Sequence, residues 1–343
     1  EELKILEYEN TPILALIIQE VQDELKPCFN KQLGLPNGAC IRVGNSDRVI
    51  TDPEMRTFIR NSSVFKFDKT RAIDTTIDSL DLEKIRNFLL QSATKMGRSG
   101  ADNTPYQEVM KNLEIVNNFK DGLFPTFGGF MIFSKEDPQL LRAHSRYVVR
   151  CVRYKGASVA SPIIDKRDVR GTLDKQIDVI QKFILRNISL MATIEGVKRV
   201  DRYEYPQEAI RELVANALVH QDFYEKGSSP LIEIYSDRIE ISNPGIPLIS
   251  PNRFIDEYQS RNELLSSVMR RLGICEKKGS GIDKVVINIE LYQLPAYDVQ
   301  VQEKHTKVIL YAYQKFGDMD KKDRIRACYQ HACLKYITND KMT

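Results

Sequence analysis

The chain is missing several signals that would settle its function at once. It has no G-x-x-x-x-G-K-[ST] phosphate loop, so the motor chemistry built on that loop has no seat. No apolar run is long enough to cross a bilayer and no signal-peptide pattern opens the sequence, which reads as cytoplasmic with no membrane partner. The six cysteines (Cys28, Cys40, Cys151, Cys275, Cys328 and Cys333) are scattered without CxxC spacing, which suits reduced thiols rather than a disulfide framework. An excess of one charge is lacking too. Fifty Lys and Arg against 47 Asp and Glu leave +3, so composition carries no nucleic-acid claim and local clusters must. Tryptophan is absent, which excludes nothing.

What is present is enough for a globular protein. Hydrophobic residues make up 42% of 343, room for two or three domains of α/β type. The most informative stretch runs from Tyr205 to His220 and reads as one helix opened by Pro206. Ile210, Leu213, Val214 and Ala217 recur at helical spacing and form its apolar stripe. Glu208, Glu212, Asn216 and His220 fall four apart on another side. Such a row is either a solvated polar face or a holder for a metal ion, a water and a phosphate.

The sequence that follows favours the second reading. Leu231–Tyr235 and Ile239–Ile241 alternate as a strand hairpin around Ser236-Asp237-Arg238 and run into Ser242-Asn243-Pro244-Gly245. Further on, Lys277-Lys278-Gly279-Ser280-Gly281-Ile282-Asp283 places a glycine-rich loop at a helix start beside two lysines, an arrangement that favours phosphate. A lone G-x-G usually just makes a turn. A polar-lined helix, a hairpin ending in N-P-G and a G-x-G loop, in that order, say more.

These segments, within about residues 172–314, resemble the GHKL ATPase fold of DNA gyrase, a chaperone class and histidine kinases. They resemble most the divergent branch found in bacterial transcriptional regulators of the Schlafen-AlbA type, often labelled helicase-related. Glu212, Asn216 and His220 match that branch's E-L-V-x-N-A-x-x-H box, and the resemblance implies that Glu212 polarises the attacking water while Asn216 coordinates Mg²⁺. Asn243 and Gly245 match the box where adenine sits; Gly279 and Gly281 match the box that wraps the phosphates. Arg261-Asn262 matches an R-N pair leading into the helix before that loop. Arg261, Lys277, Lys278 and Ser280 become candidate phosphate contacts, with the loop around 246–278 closing over ATP. The chain departs from the pattern in its second box, where Asn243 replaces the usual Asp and D-x-G-x-G shrinks to N-P-G. An amide oxygen still accepts a hydrogen bond from an adenine amino group, without the charge.

The expected organisation has four parts. Residues 1–62 resemble a partial Schlafen-AlbA nucleic-acid-binding module, on the Ile41-Arg42-Val43-Gly44-Asn45-Ser46 segment, after a helix over 11–25 and before another starting near Asp52-Pro53-Glu54. Arg42 and Arg48 are its phosphate candidates, though two arginines are usually surface charge. Residues 63–171 form a connecting region. Helices are expected over 80–95 and 104–119, a buried strand at the end of 125–134, and a second strand over 146–154 with Arg146 and Arg150 on one face. Gly128-Gly129 reads as close packing ahead of a phosphate cradle. Residues 172–314 form the ATP-binding domain, opened by a helix over 172–189 and closed by a strand within 299–313. After a charged linker over 315–322, Asp323–Ile337 reads as the first helix of a truncated winged helix-turn-helix within 315–343. Cys328, His331 and Cys333 do not share a helical face, so core thiols and an exposed imidazole are read there ahead of zinc.

The function expected from this reading is a nucleotide-responsive DNA-binding transcriptional regulator with ATP and Mg²⁺ as cofactors, DNA as partner and a homodimer as assembly. Two alternatives stand beside it: an active, weak Mg²⁺-dependent ATPase, and a degenerate fold kept as a dimerisation scaffold with no ligand.

Overall fold

The structure, a computed structural model, describes residues 2–8, 11–17, 28–30, 32–34, 37–43, 46–51, 54–55, 66–95, 106–195, 198–225, 227–275 and 281–338. The chain divides into two units, Glu1–Lys66 and Phe67–Thr343.

In the first unit, β1 (Glu2–Tyr8) and β2 (Thr11–Ile17) form an antiparallel hairpin with Leu3 opposite Leu16 and Ile5 opposite Leu14. The helix expected over 11–25 is therefore a strand over 11–17. The segment opens with Thr11-Pro12-Ile13, where a β-branched pair and a proline resist helix, and it finds an apolar partner strand upstream. Residues 18–25 lie outside the described residues. β3 (Cys40–Val43) pairs with β4 (Ser46–Val49). Arg42 binds Asp47 at 3.1 Å and Arg48 binds Glu54 at 2.5 Å, so both guanidiniums already face carboxylates.

The second unit is built on a six-stranded mixed sheet. β7 (Val149–Tyr154), β8 (Ile163–Val169), β11 (Leu231–Ile234), β12 (Arg238–Pro244), β13 (Asp298–Val301) and β14 (His305–Tyr311) lie in the order β13-β14-β12-β11-β7-β8. Every pair is antiparallel except β11 with β7, where Ile232 lies beside Cys151. The core face carries Cys151, Ile232, Ile234, Ile239, Ile241 and Leu310, all almost fully buried. Against it lie α4 (Leu173–Asn187), on β7 and β8, and α5 (Gln207–His220), on β12. The predicted α5 stripe faces inward, with Ile210, Leu213, Val214 and Ala217 buried, and Ile177, Ile180, Phe183 and Ile184 of α4 are buried beside it. Pro206 sits one position earlier than expected, as the N-cap. The strand expected within 299–313 is a hairpin, closed by the Gln302 N–H donating to His305 O at 2.8 Å.

Two other expectations are corrected. The run Phe127–Phe133 is a helix, α3, with all seven residues buried, rather than a strand. Periodicity cannot separate a buried strand from a buried helix over so short a run. The cap decides it, since Thr126 Oγ1 accepts from Gly129 N–H at 3.0 Å. The helix expected over 104–119 stops as α2 (Tyr106–Asn112), after α1 (Leu82–Lys95). Glu114 turns left-handed at φ 57°, and β5 (Val116–Phe119) and β6 (Gly122–Pro125) follow, joined by Lys120-Asp121, with Gly122 at φ 126°. Arg146 precedes β7, its guanidinium donating to Tyr147 OH and Phe223 O, so it shares no strand face with Arg150.

β9 (Leu190–Glu195) and β10 (Lys198–Tyr203) form a separate ribbon. α6 (Glu263–Arg271) packs on α3, and α7 (Gly281–Leu291) lies between α5 and α8 (Lys321–Thr338). No helix of the described residues is long and apolar enough to cross a membrane.

Candidate functional site

Where α5, the ends of β12 and β14, and the start of α7 converge, they leave a cavity of about 150 Å³. Helical spacing stacks Glu212, Asn216 and His220 of α5 along one wall. Asn216 Nδ2 reaches Glu212 Oε1 at 3.5 Å. Glu208, the fourth member of the row, is exposed and outside the lining.

The sheet supplies the second wall. Asn243 and its cross-strand partner Thr306 both face the cavity. Asn243 Nδ2 donates to Pro244 O at 3.2 Å, an arrangement that keeps the amide oxygen as an acceptor. Gly245 does not line the cavity. Its φ of 99° and its closeness to Asp222, whose Cβ would be 2.7 Å from an added Cβ, let the end of β12 approach the residue that leaves α5. Its carbonyl accepts from Thr306 Oγ1 at 2.7 Å.

Gly281 opens α7 against the same cavity. A Cβ there would run into Glu212 Oε1, with Glu212 Cδ 2.9 Å away, so carboxylate and helix start nearly touch. Lys277, Lys278, Gly279 and Ser280 lie outside the described residues. Arg261 lines the cavity with Nη1 3.4 Å from the buried Asp222 carboxylate and Nη2 donating to Ile246 O at 2.9 Å. Burial, and then the Arg261 guanidinium, hold the His220 imidazole down at about 4, so it is neutral at physiological pH.

A rim closes the remaining side. Ile246, Leu248, Ile249 and Phe254 make it apolar. The Tyr258 ring stands edge-on to His220 at 6.1 Å, and its hydroxyl is hydrogen-bonded to Ser266 at the start of α6. Tyr297, Arg270, Thr306, Tyr258 and Ser266 also line the cavity and belong to no motif. No signal in the sequence marks them, because they are single residues on distant elements. Chemically, an apolar rim facing the Asn243 amide suits a flat heterocycle. The carboxylate–amide pair at a helix start suits a hydrated cation with an anion.

Residues 227–310 match the family model described as "Putative ATP-dependent DNA helicase recG C-terminal". The chain contains an ATPase-like domain. The matched span holds Asn243, Gly245, Arg261 and Gly281, while Glu212, Asn216 and His220 precede it. The crystal structure of the DIP2311 protein from Corynebacterium diphtheriae is similar over 99% of this chain and 66% of its own, at a TM-score of 0.55 and 16% identity. That likeness is one of fold, and this chain spans just under two thirds of that protein's length. No curated protein matches the chain.

Away from the cavity, His331 of α8 binds Glu290 of α7 at 3.0 Å, and among the described residues no group of three His, Cys, Asp or Glu side chains forms a metal cage.

Proposed function

We propose that the ATPase-like domain binds an adenine nucleotide with Mg²⁺ and that the chain is a nucleotide-responsive DNA-binding regulator. The observation that supports the site is the convergence of Glu212, Asn216, Asn243 and Gly281 on one cavity from three distant segments. The residues suit the ligand. Gly281 has no side chain, so the Glu212 carboxylate reaches the start of α7, where a cation would join it to an anion near the helix N–H groups. Asn216 and Glu212 offer the few oxygen ligands that Mg²⁺ takes from protein when phosphates and waters supply the rest. Bound there, the ion would neutralise phosphate charge next to a carboxylate. Asn243 Oδ1 is the acceptor for the adenine amino group, and the apolar rim covers the ring.

The test is calorimetry with Mg²⁺ and a non-hydrolysable ATP analogue. Asn216→Ala is expected to abolish binding while leaving the thermal melt intact. No heat of binding to the intact chain would remove the proposal.

Hydrolysis is a second reading, favoured by the closeness of Glu212 to the start of α7, where it would activate a water. Phosphate release that is unchanged in Glu212→Gln would exclude it. For DNA, the support is narrower: α8 forms where the first helix of a winged helix was expected, with Lys321, Lys322 and Arg324 exposed. DNA affinity falling steeply with salt, with a slope that Lys322→Ala reduces, is the expected result.

A further inference from the structure

The cavity is smaller than its proposed ligand. Sites for ligands of drug or cofactor size hold about 300–1,000 Å³, and this one holds about 150 Å³. The rim, residues 246–258, lines one side of it and also carries the turn Pro251–Arg253. A nucleotide in the cavity therefore bears directly on that segment.

One helix is fastened both to this segment and to the opposite wall. Tyr329 of α8 donates through its hydroxyl to Asn252 O of the rim turn at 3.2 Å. One residue on, Gln330 Nε2 donates at 2.9 Å to the backbone oxygen of Tyr297, whose side chain lines the cavity. Arg326 Nε donates to Ala296 O at 3.2 Å, and its Nη1 lies 3.4 Å from Asp298. His331 reaches Glu290 of α7.

The seat is polar rather than oily. Leu334 is the one residue of α8 that is buried; Ile325 and Tyr329 are 59% and 47% exposed. Gln330 Oε1 is buried in the seam without a hydrogen-bond partner among the described residues. A helix held by individual hydrogen bonds, each of modest net worth, undocks far more readily than one held by a packed apolar face.

We propose that α8 is a latch that reports the nucleotide: it is docked while the rim lies in the cavity and is released when a nucleotide displaces the rim and breaks the Tyr329–Asn252 bond. This rests on the cavity being a nucleotide site. Linkage then makes the effect reciprocal, so loosening the latch tightens nucleotide binding by the factor by which nucleotide loosens the latch.

The experiment is amide hydrogen exchange on the full chain, with and without Mg²⁺ and AMP-PNP, with binding measured by calorimetry on the same preparation. Amides of residues 321–338 are expected to exchange about fivefold or more faster with nucleotide, the low end of usual allosteric couplings. Tyr329→Phe is expected to raise their exchange without nucleotide, to remove most of the nucleotide response, and to bind AMP-PNP about fivefold tighter. Gln330→Ala should act in the same direction, which guards against a defect peculiar to one variant. If calorimetry shows binding and the exchange of 321–338 is unchanged, the latch is overturned and the site stands. If Tyr329→Phe frees the helix without changing AMP-PNP affinity, the contact is structural only and the latch is likewise overturned. No binding to the wild-type chain removes the site, and the latch with it.

Discussion

Asn262 is where the cavity's geometry depends most on one side chain. It is fully buried at the N-cap position of α6, and its side chain bonds away from that helix. Its Nδ2 donates to Val219 O at 2.7 Å and to Gln221 O at 2.9 Å. Those carbonyls belong to the end of α5, where the helix leaves its last acceptors without partners. One amide thus fixes the end of the helix that carries Glu212, Asn216 and His220 to the start of the helix that holds the rim through Ser266. Asn262→Ala loses two hydrogen bonds of about 1 kcal/mol net each and leaves two buried carbonyls short of a donor, offset by about 1 kcal/mol because the unpartnered Oδ1 goes as well. The expected loss is about 2–3 kcal/mol. Asn262→Asp keeps the shape but turns a donor into a charged acceptor facing two carbonyl oxygens, and should cost about 4 kcal/mol or more. Urea unfolding of the three proteins measures both. The order is the decisive part: an Asp variant as stable as the Ala variant would show that the amide is not a donor to α5, and the reasoning would fail.

Two further outcomes follow from groups beside this one. His220 is held neutral with its folded pKa near 4, below the ordinary value of about 6.5 for an unfolded imidazole. The unfolded chain therefore takes up a proton between those values and the folded chain does not, so stability present above about pH 6.5 is lost as pH falls toward 4. Half-buried as the ring is, about 1–2 kcal/mol should go by pH 5, and His220→Gln should lack that component in pH-dependent melts; parallel profiles for the two proteins would refute it. At Gly129, a Cβ would fall on the backbone of Ile115, whose Cα would be 2.9 Å away. Gly129→Ala should cost about 3 kcal/mol or more, whereas Gly317→Ala, which meets nothing within 4 Å, should change stability by less than about 0.5 kcal/mol; equal urea midpoints would show that the helix start moves freely.

What the sequence revealed was whatever its signals encoded locally. α4, α5 and α8 carry helical stripes or caps of their own, and β11 and β12 carry alternation around a turn, so each could be read without its neighbours. Thr11–Ile17 became a strand because of the upstream segment that pairs with it, and Phe127–Phe133 became a helix because Thr126 caps it against a core that buries every face. The β5–β6 hairpin turns at Lys120-Asp121, between the paired Phe119 and Gly122, where a helical pattern over 104–119 hid it. The site divides the same way. Motif spacing brought Glu212, Asn216 and His220 to one wall, but Thr306, Tyr258 and Tyr297 reach it through β14, the rim and the start of β13, and the parallel pairing of β7 with β11 joins segments with no shared pattern. Pairing and closure are made by tertiary contacts, which periodicity does not record.

The contact between Glu212 and the start of α7 leads to a last test, on the metal rather than the fold. At that spot a carboxylate already occupies the place where an incoming phosphate would gain from the helix N–H groups. The nearby guanidinium of Arg261 faces Asp222 and Ile246 O. Two like charges about 4 Å apart repel by about 4 kcal/mol at an effective dielectric near 20. Even after screening takes two thirds of that, metal-free nucleotide should bind about tenfold more weakly than it would without the charge. A divalent ion held between carboxylate and phosphate reverses the sign. Glu212→Gln should therefore bind the ATP analogue about tenfold tighter than wild type in EDTA and gain less from added Mg²⁺, as calorimetry at fixed ionic strength would measure. If Glu212→Gln and wild type respond identically to Mg²⁺, the carboxylate does not face the phosphates and the nucleotide lies elsewhere in the cavity or not in it at all.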